Sequence, residues 1–196
     1  MGGRVAMHSA LTDSTLVSSL IVVDVTPAEE RSLSMPSSGG IAGYLKLMND
    51  AEVPSTLKAN QIRRYLKEQF ADHIPEPAIR DFLLTNLILT HDDDDDRFRW
   101  KANVEVLLND FDKLAVFPQF SGQEYLRDTL FIAGALSPYI DWERDSSRIH
   151  QLFPLAKLET IDNARHWVHS DQPSTFIDIC AQFLNGVKRS KSFHPI

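Results

Sequence analysis

Two histidines in one short segment are the residues best suited to chemistry. Residues 163–173 read Asn-Ala-Arg-His-Trp-Val-His-Ser-Asp-Gln-Pro, which places His166 and His169 on either side of Trp167. An imidazole titrates near neutral pH, so a histidine held in a loop can act as a general base. With Asp171 the two rings could instead hold a metal ion, although one loop offers no further ligand pattern. The same segment could also be a surface loop with two histidines that have no functional role.

A carboxylate near the start of the chain is a second candidate for chemistry. Residues 20–27 read Leu-Ile-Val-Val-Asp-Val-Thr-Pro, a β-branched run that Pro27 stops. This pattern predicts a buried parallel strand with Asp24 at its carboxyl end. The alternative is that Asp24 is a purely structural acid at the end of a strand. Asp24 is therefore a candidate functional acid, with a structural role left open.

The remaining pattern predicts an α/β arrangement that could bring these residues together. Further strands are expected at residues 129–134, closed by Gly134, and at residues 156–161, whose alternation suits a sheet edge. Residues 41–116 have helical periodicity, with one helix expected after Pro77 that includes Leu87, another at residues 104–114, and no strong strand apart from the short run Phe98–Trp100. A polar segment that follows Tyr139 and extends to Ile149 is also expected to be helical. A last helix is expected at residues 173–184, with a frayed tail from Lys188. Loops are expected at residues 32–40 and at the five aspartates 92–96.

Composition excludes several classes of protein. The 196 residues carry a net charge of −7, which argues against nucleic acid as a partner. Cys180 is the single cysteine, so an internal disulfide is excluded, and its apolar surroundings indicate a buried structural thiol. No apolar run approaches the roughly 18 residues that a membrane span requires. One domain, residues 1–196, is the default for this length.

Several motifs along the chain resemble one family at ordered spacing. They are Met-Gly-Gly-Arg at residue 1, Val-Val-Asp-Val-Thr-Pro at 22, Phe-Leu-Leu-Thr-Asn-Leu at 82, Phe-Arg-Trp-Lys-Ala-Asn at 98, Gly-Ala-Leu-Ser-Pro-Tyr-Ile at 134, Leu-Phe-Pro at 152 and His-Trp-Val-His at 166. This set resembles the esterase branch of the α/β-hydrolase superfamily that includes bacterial YbfF-type, mitochondrial abhydrolase-domain-eleven and fungal ethanol acetyltransferase-like proteins. The resemblance implies the C-terminal half of that fold: three parallel strands with flanking helices, and a helical cap, residues 28–116, inserted after the first strand.

The resemblance also assigns roles to individual residues. His166 matches the catalytic histidine of the family, and Asp24 matches the acid that orients it, with Glu105 as the alternative acid. Glu105 already has a structural explanation, because a carboxylate is favourable in the first turn of a helix capped by Asn103. Arg165 stands where the family usually has glycine, which would be costly if that position required a positive φ. His169 is expected to fix the loop by hydrogen bonding, without a catalytic role.

The nucleophile of the family would be the residue directly before Met1. Met1 matches the residue after that serine, so its backbone N–H would be an oxyanion donor. The chain is therefore expected to be truncated at the nucleophile elbow and inactive as given. Ser9 and Ser14 are not expected to replace the missing serine, because neither follows a strand.

Two functional hypotheses follow. The first is a carboxylic ester hydrolase or acyltransferase that acts on small-molecule esters or thioesters and needs no cofactor. The second is a non-catalytic binding or regulatory protein derived from the same fold, in which an exposed sheet edge allows self-association. The resemblance implies a mitochondrial location, with a cytoplasmic one otherwise.

Overall fold

A computed structural model of the chain describes residues 1–27, 40–90 and 98–191, apart from the side chains of residues 115 and 188–191. The five aspartates 92–96 and residues 32–39 of the expected Ser/Pro/Gly loop lie outside the described residues. Within the described ranges, no helix is long and apolar enough to cross a bilayer.

The Cα positions divide the chain into two compact units. The first contains Met1–Glu30 together with Val116–Ile196, and the second contains Arg31–Ala115. The second unit is therefore an insertion, in sequence, between two parts of the first.

The first unit is an α/β layer structure around a parallel sheet. Its three strands are β1 (Leu20–Val23), β4 (Thr129–Gly134) and β5 (Ala156–Ile161), and they lie side by side in that order. Leu20 of β1 is opposite Thr129 of β4, and Thr129 is opposite Ala156 of β5. The expected three-stranded parallel sheet and its flanking helices are thus confirmed. The elements of this unit are α1 (Gly2–Thr12), β1 (Leu20–Val23), β4 (Thr129–Gly134), α7 (Trp142–Leu152), β5 (Ala156–Ile161), α8 (Val168–Asp171) and α9 (Pro173–Lys191).

Apolar side chains cover both faces of this sheet. Every residue of β4 is buried, as expected for a central strand of a parallel sheet. Phe131 packs in the cluster that contains residues of α1 and α7, whereas Leu130 and Ile132 pack in the cluster that contains residues of α9. Alternate residues of a strand point to opposite faces, so β4 anchors both helical layers.

Helix α1 lies unusually close to the first strand. A Cβ atom on Gly3 would be 2.6 Å from Val25 Cγ1 and 3.3 Å from Val22 Cγ1. The absence of a side chain at Gly3 therefore allows the first turn of α1 to approach the end of β1. This explains glycine at residue 3.

The second unit is mainly helical and contains a β-hairpin. Its apolar core includes Ile62, Leu66 and Phe70, and the indole of Trp100 donates a hydrogen bond of 2.8 Å to the carbonyl of Met48. The elements of this unit are α2 (Ile41–Asn49), α3 (Ala59–Gln69), a 3₁₀ turn (Phe70–Asp72), α4 (Pro77–Leu84), β2 (Leu87–Leu89), β3 (Phe98–Trp100), α5 (Val104–Asn109) and α6 (Phe111–Ala115).

The helical periodicity missed some breaks between elements. Leu87, expected on the helix after Pro77, lies in β2 and pairs with Trp100 in an antiparallel hairpin. The expected helix 104–114 is divided at Asp110 into α5 and α6. The error at Leu87 has a simple cause: a buried apolar residue satisfies a helical and a strand pattern equally when the run is short.

The C-terminal part confirms one helix and needs two smaller corrections. The polar segment expected to be helical up to Ile149 forms α7, and the Asp141 side chain caps it by accepting hydrogen bonds from the backbone N–H groups of residues 143 and 144. The loop around His166 contains the single-turn helix α8. The last helix continues to Lys191, so the expected frayed tail does not begin at Lys188, and residues 192–196 lie outside the described residues.

Candidate active site

Asp24 follows β1 directly and lies within the protein interior. Its side chain has no exposed surface, and its backbone N–H donates a 2.8 Å hydrogen bond to the carbonyl of Ile132 on β4. Its φ of 52° is in the left-handed region, which aspartate tolerates better than most residues. The chain therefore turns sharply at the end of the strand and directs the carboxylate along the sheet edge.

Three donors from different segments converge on this carboxylate. The backbone N–H of Gly134 donates to Oδ1 at 3.2 Å, and the hydroxyl of Ser137 donates to Oδ2 at 2.5 Å. Nδ1 of His166 lies 2.8 Å from Oδ2. Burying a carboxylate is costly unless its oxygens are hydrogen-bonded, and these contacts meet that requirement. The structure thus brings together Asp24 and His166, which are 142 residues apart in sequence.

The ring of His166 has one nitrogen directed inward and is otherwise half exposed. Its side chain is 51% exposed, and its centroid lies 4.5 Å from that of Tyr139 at an angle of 57°. Because a carboxylate accepts hydrogen bonds, the contact with Asp24 places the proton of the neutral ring on Nδ1. Nε2 then has the lone pair and can take a proton from a group that approaches the exposed edge.

The backbone before His166 packs tightly on the end of β4. A Cβ atom on Gly134 would lie 2.5 Å from the carbonyl oxygens of both Ala164 and Arg165. Leu136 also donates its backbone N–H to the Ala164 carbonyl at 2.9 Å. Glycine at residue 134 therefore permits the histidine loop to cross the strand end at this distance.

Arg165 does not impose the cost that a positive φ would bring. Among the described residues other than glycine, only Asp24 and Asn163 have a positive φ, and Asn163 adopts 57°. Asparagine is among the residues that tolerate this region best. The sharp turn in the loop is thus made two residues before Arg165, so the positive φ that would make arginine costly does not occur at residue 165.

The other candidate residues are on other elements. Met1 is the exposed residue before the first turn of α1. Glu105 lies in the first turn of α5, in the second unit, behind the Asn103 cap. Cys180 is half buried on α9, and burial raises the pKa of its thiol.

His169 makes a different contact from the one expected. Its ring packs edge-on against Phe176 with the centroids 6.1 Å apart, and within the described ranges the structure gives its side chain no hydrogen bond. The described residues also contain no group of three His, Cys, Asp or Glu side chains arranged to hold a metal ion. The alternative metal site in the histidine loop is therefore not supported.

Sequence reasoning gave Ser137, Gly134 and Tyr139 no role at this site. The sequence pattern placed Gly134 at the end of a strand, and Ser137 was named only within the motif that begins at residue 134. A usable signal was present, because both follow a strand that neighbours β1, and carboxyl ends of parallel strands lie along one edge of a sheet. The hydroxyl at that edge was therefore a candidate donor to Asp24.

Comparison with known proteins gives relatives of one kind. No protein-family model matches the chain. The sn-1-specific diacylglycerol lipase ABHD11 of Mus musculus is 37% identical over 184 residues, which are 94% of this chain and 56% of that protein. Esterase YbfF of Escherichia coli is 23% identical over 94% of this chain and 65% of its own length.

A solved structure adds the fold. The structure of a marine microorganism esterase is 26% identical and superposes with a TM-score of 0.78, covering 92% of this chain and 66% of the other. The chain spans between about half and two thirds of the length of the curated relatives it matches. Sequence and structural similarity thus agree with the three-stranded parallel sheet and its flanking helices. The chain has the α/β-hydrolase fold and is a homologue of esterases and lipases that share this fold.

Proposed function

We propose that this protein, at full length, is a carboxylic ester hydrolase or acyltransferase of the serine-hydrolase type. The observation that carries the proposal is the 2.8 Å contact between Nδ1 of His166 and the buried carboxylate of Asp24. A histidine oriented in this way, with its other nitrogen toward solvent, is the base that activates a serine hydroxyl.

The reaction would proceed in two acyl-transfer steps. Nε2 of His166 takes the proton of the serine hydroxyl as the oxygen attacks the ester or thioester carbonyl, and the imidazolium then returns that proton to the leaving alcohol or thiol. Asp24 stabilises the imidazolium without itself taking the proton. A water molecule that attacks the acyl-enzyme gives hydrolysis, and an alcohol gives acyl transfer.

The proposal places the nucleophile serine directly before Met1. The backbone N–H of Met1 would then be an oxyanion donor, and α1, which begins at Gly2, would be the helix behind the nucleophile. The close packing of Gly3 on the end of β1 supports this role for α1, because it holds the start of the helix near the strand that carries Asp24. The 196-residue chain alone would lack acyl-transfer activity.

The substrate class is proposed from chemistry and similarity. The name of the mouse relative identifies it as a diacylglycerol lipase, so an ester of a small molecule is the proposed substrate here. We propose that the second unit is the helical cap of the family and that Glu105 is structural. A mitochondrial location is proposed on the same resemblance.

Labelling with a serine-directed fluorophosphonate probe tests this function. The 196-residue chain should remain unlabelled, whereas the chain extended upstream through a Gly-His-Ser elbow should label and lose labelling after His166→Ala. Labelling of the short chain would show that the nucleophile lies elsewhere. A stop codon in place of the Gly-His-Ser codons in the transcript would refute the proposed nucleophile.

A non-catalytic binding role is the second candidate. In the part of the chain that the structure describes, β1 pairs on one side with β4, and strands with an open edge can associate with another chain. Sedimentation of the purified chain tests this role: a cooperatively folded monomer at all concentrations would remove its basis.

A further inference from the structure

The segment that contains His166 is closed by a contact between its two ends. Oδ2 of Asp171 accepts the backbone N–H of Arg165 at 2.8 Å. Asp171 itself is held in α8, because its own backbone N–H donates to the carbonyl of Trp167 at 2.9 Å. The side chain of His166 therefore projects from a short closed loop that is joined at both ends.

This closure has an electrostatic basis. The backbone N–H of Arg165 is the main reason why the pKa of the Asp171 carboxyl is lower than its ordinary value. The guanidinium of Arg165 and the imidazole of His169 act in the same direction with smaller effects. Asp171 is thus a charged acceptor at neutral pH, and a hydrogen bond from an amide to a charged acceptor is stronger than one between neutral groups.

The position of the His166 ring depends on this backbone. The side chain of His166 is half exposed, and its ring contacts Tyr139 and the carboxylate of Asp24. These contacts leave much of the ring without a packing neighbour. Residues 164 and 165 pack against Gly134, which fixes one end of the segment. Asp171 fixes the peptide that joins Ala164 to Arg165, one residue before His166.

We propose that Asp171 is a positioning residue, which holds the backbone at Arg165 so that Nδ1 of His166 faces the carboxylate of Asp24. This inference rests on the proposed function, because it assigns Asp171 a part in keeping the base in its active tautomer. Asp171 contacts neither the reacting atoms nor the imidazole, so it acts through the backbone.

The side chain of Arg165 has little part in this restraint. Its Nε is 3.5 Å from Oδ2 of Asp171 and the side chain is 68% exposed, which describes a weak surface ion pair. The backbone N–H would be present with any residue other than proline at this position. Arg165→Gly should therefore leave the ring of His166 in place.

The tautomer of His166 in the 196-residue chain provides the test. Long-range ¹H–¹⁵N NMR at about pH 9, where an ordinary imidazole is neutral, measures the ratio of Nδ1–H to Nε2–H forms. Asp171→Ala is expected to lower this ratio about tenfold, the effect of losing a hydrogen bond to a charged group. Asp171→Asn should keep most of the ratio, because its amide oxygen can still accept from Arg165.

Asp162→Ala is the matched control, since it removes an exposed carboxylate from the same connection between β5 and α8. An equal ratio in Asp171→Ala and Asp162→Ala would overturn the inference, and so would an equal loss in Asp171→Asn and Asp171→Ala. Thermal unfolding shows that each variant is folded. A low Nδ1–H fraction in the unmodified chain would instead contradict the proposed function, so the two failures are distinguishable.

Discussion

The carboxylate of Asp24 depends on donors from two separate parts of the chain, the end of β4 with the turn that follows it and the histidine loop. Its position after an apolar strand predicted a carboxylate at the carboxyl end of the sheet, and the family resemblance predicted that it would orient His166. The sequence did not predict the hydroxyl of Ser137 or the packing of Tyr139. Those contacts depend on how the turn after Gly134 folds back, and no local periodicity encodes such a turn.

Ser137→Ala should destabilise the protein through Asp24. The substitution removes the 2.5 Å hydrogen bond to a buried carboxylate, at an expected cost of about 1–3 kcal/mol in the free energy of unfolding. Urea denaturation measures the change. Ser147→Ala on the exposed face of α7 is the control and should change stability by less than about 0.5 kcal/mol. Similar values for both variants would show that Ser137 contributes nothing to holding Asp24.

Cys180 should react slowly in the folded chain. Burial raises the pKa of its thiol, so a smaller fraction is thiolate at about pH 8 than in an unstructured peptide, and the thiolate is the reactive form. We expect alkylation by iodoacetamide to be slower than that of a free cysteine peptide and to recover in guanidinium chloride. Equal rates for the folded chain and the peptide would contradict the raised pKa.

At the scale of elements, strands were easier to predict than the breaks between helices. The apolar runs at β1 and β4 and the alternation at β5 all correspond to strands of the sheet. The hairpin of β2 and β3 was partly missed because Leu87 also fits a helical pattern, and its pairing with Trp100 is a tertiary contact. Short elements are thus decided by packing more than by local periodicity.

Gly134→Ala should displace the histidine loop. The new Cβ atom would lie 2.5 Å from two backbone oxygens, which cannot move without shifting residues 164 and 165. We expect a loss of about 1–3 kcal/mol in stability, measured by urea denaturation, as for other overpacked sites. Gly186→Ala on α9 has open space around it and should instead stabilise the chain by about 0.5–1 kcal/mol. A Gly134→Ala variant as stable as the unmodified chain would contradict the close approach.

At the scale of the whole molecule, the order of strands and helices predicted the fold class. Strand, helical block, strand, helix, strand and helix is a pattern that right-handed crossovers arrange as a parallel sheet. The pattern predicted a helical insertion at residues 28–116 within a single domain, and the Cα positions divide the chain into two compact units, of which the second contains residues 31–115. Pocket shape has no such signature, because it depends on side chains from many elements.

The proposed function requires that Asp24 orient His166 as the base of an acyl-transfer enzyme. Its most direct test is the initial rate of hydrolysis of a p-nitrophenyl ester by the chain extended through the Gly-His-Ser elbow. Asp24→Asn should lower kcat by about 10⁴-fold, as expected when a histidine loses its orienting acid, and Glu105→Gln should lower it by less than about threefold. A normal rate in Asp24→Asn together with a large loss in Glu105→Gln would contradict the account.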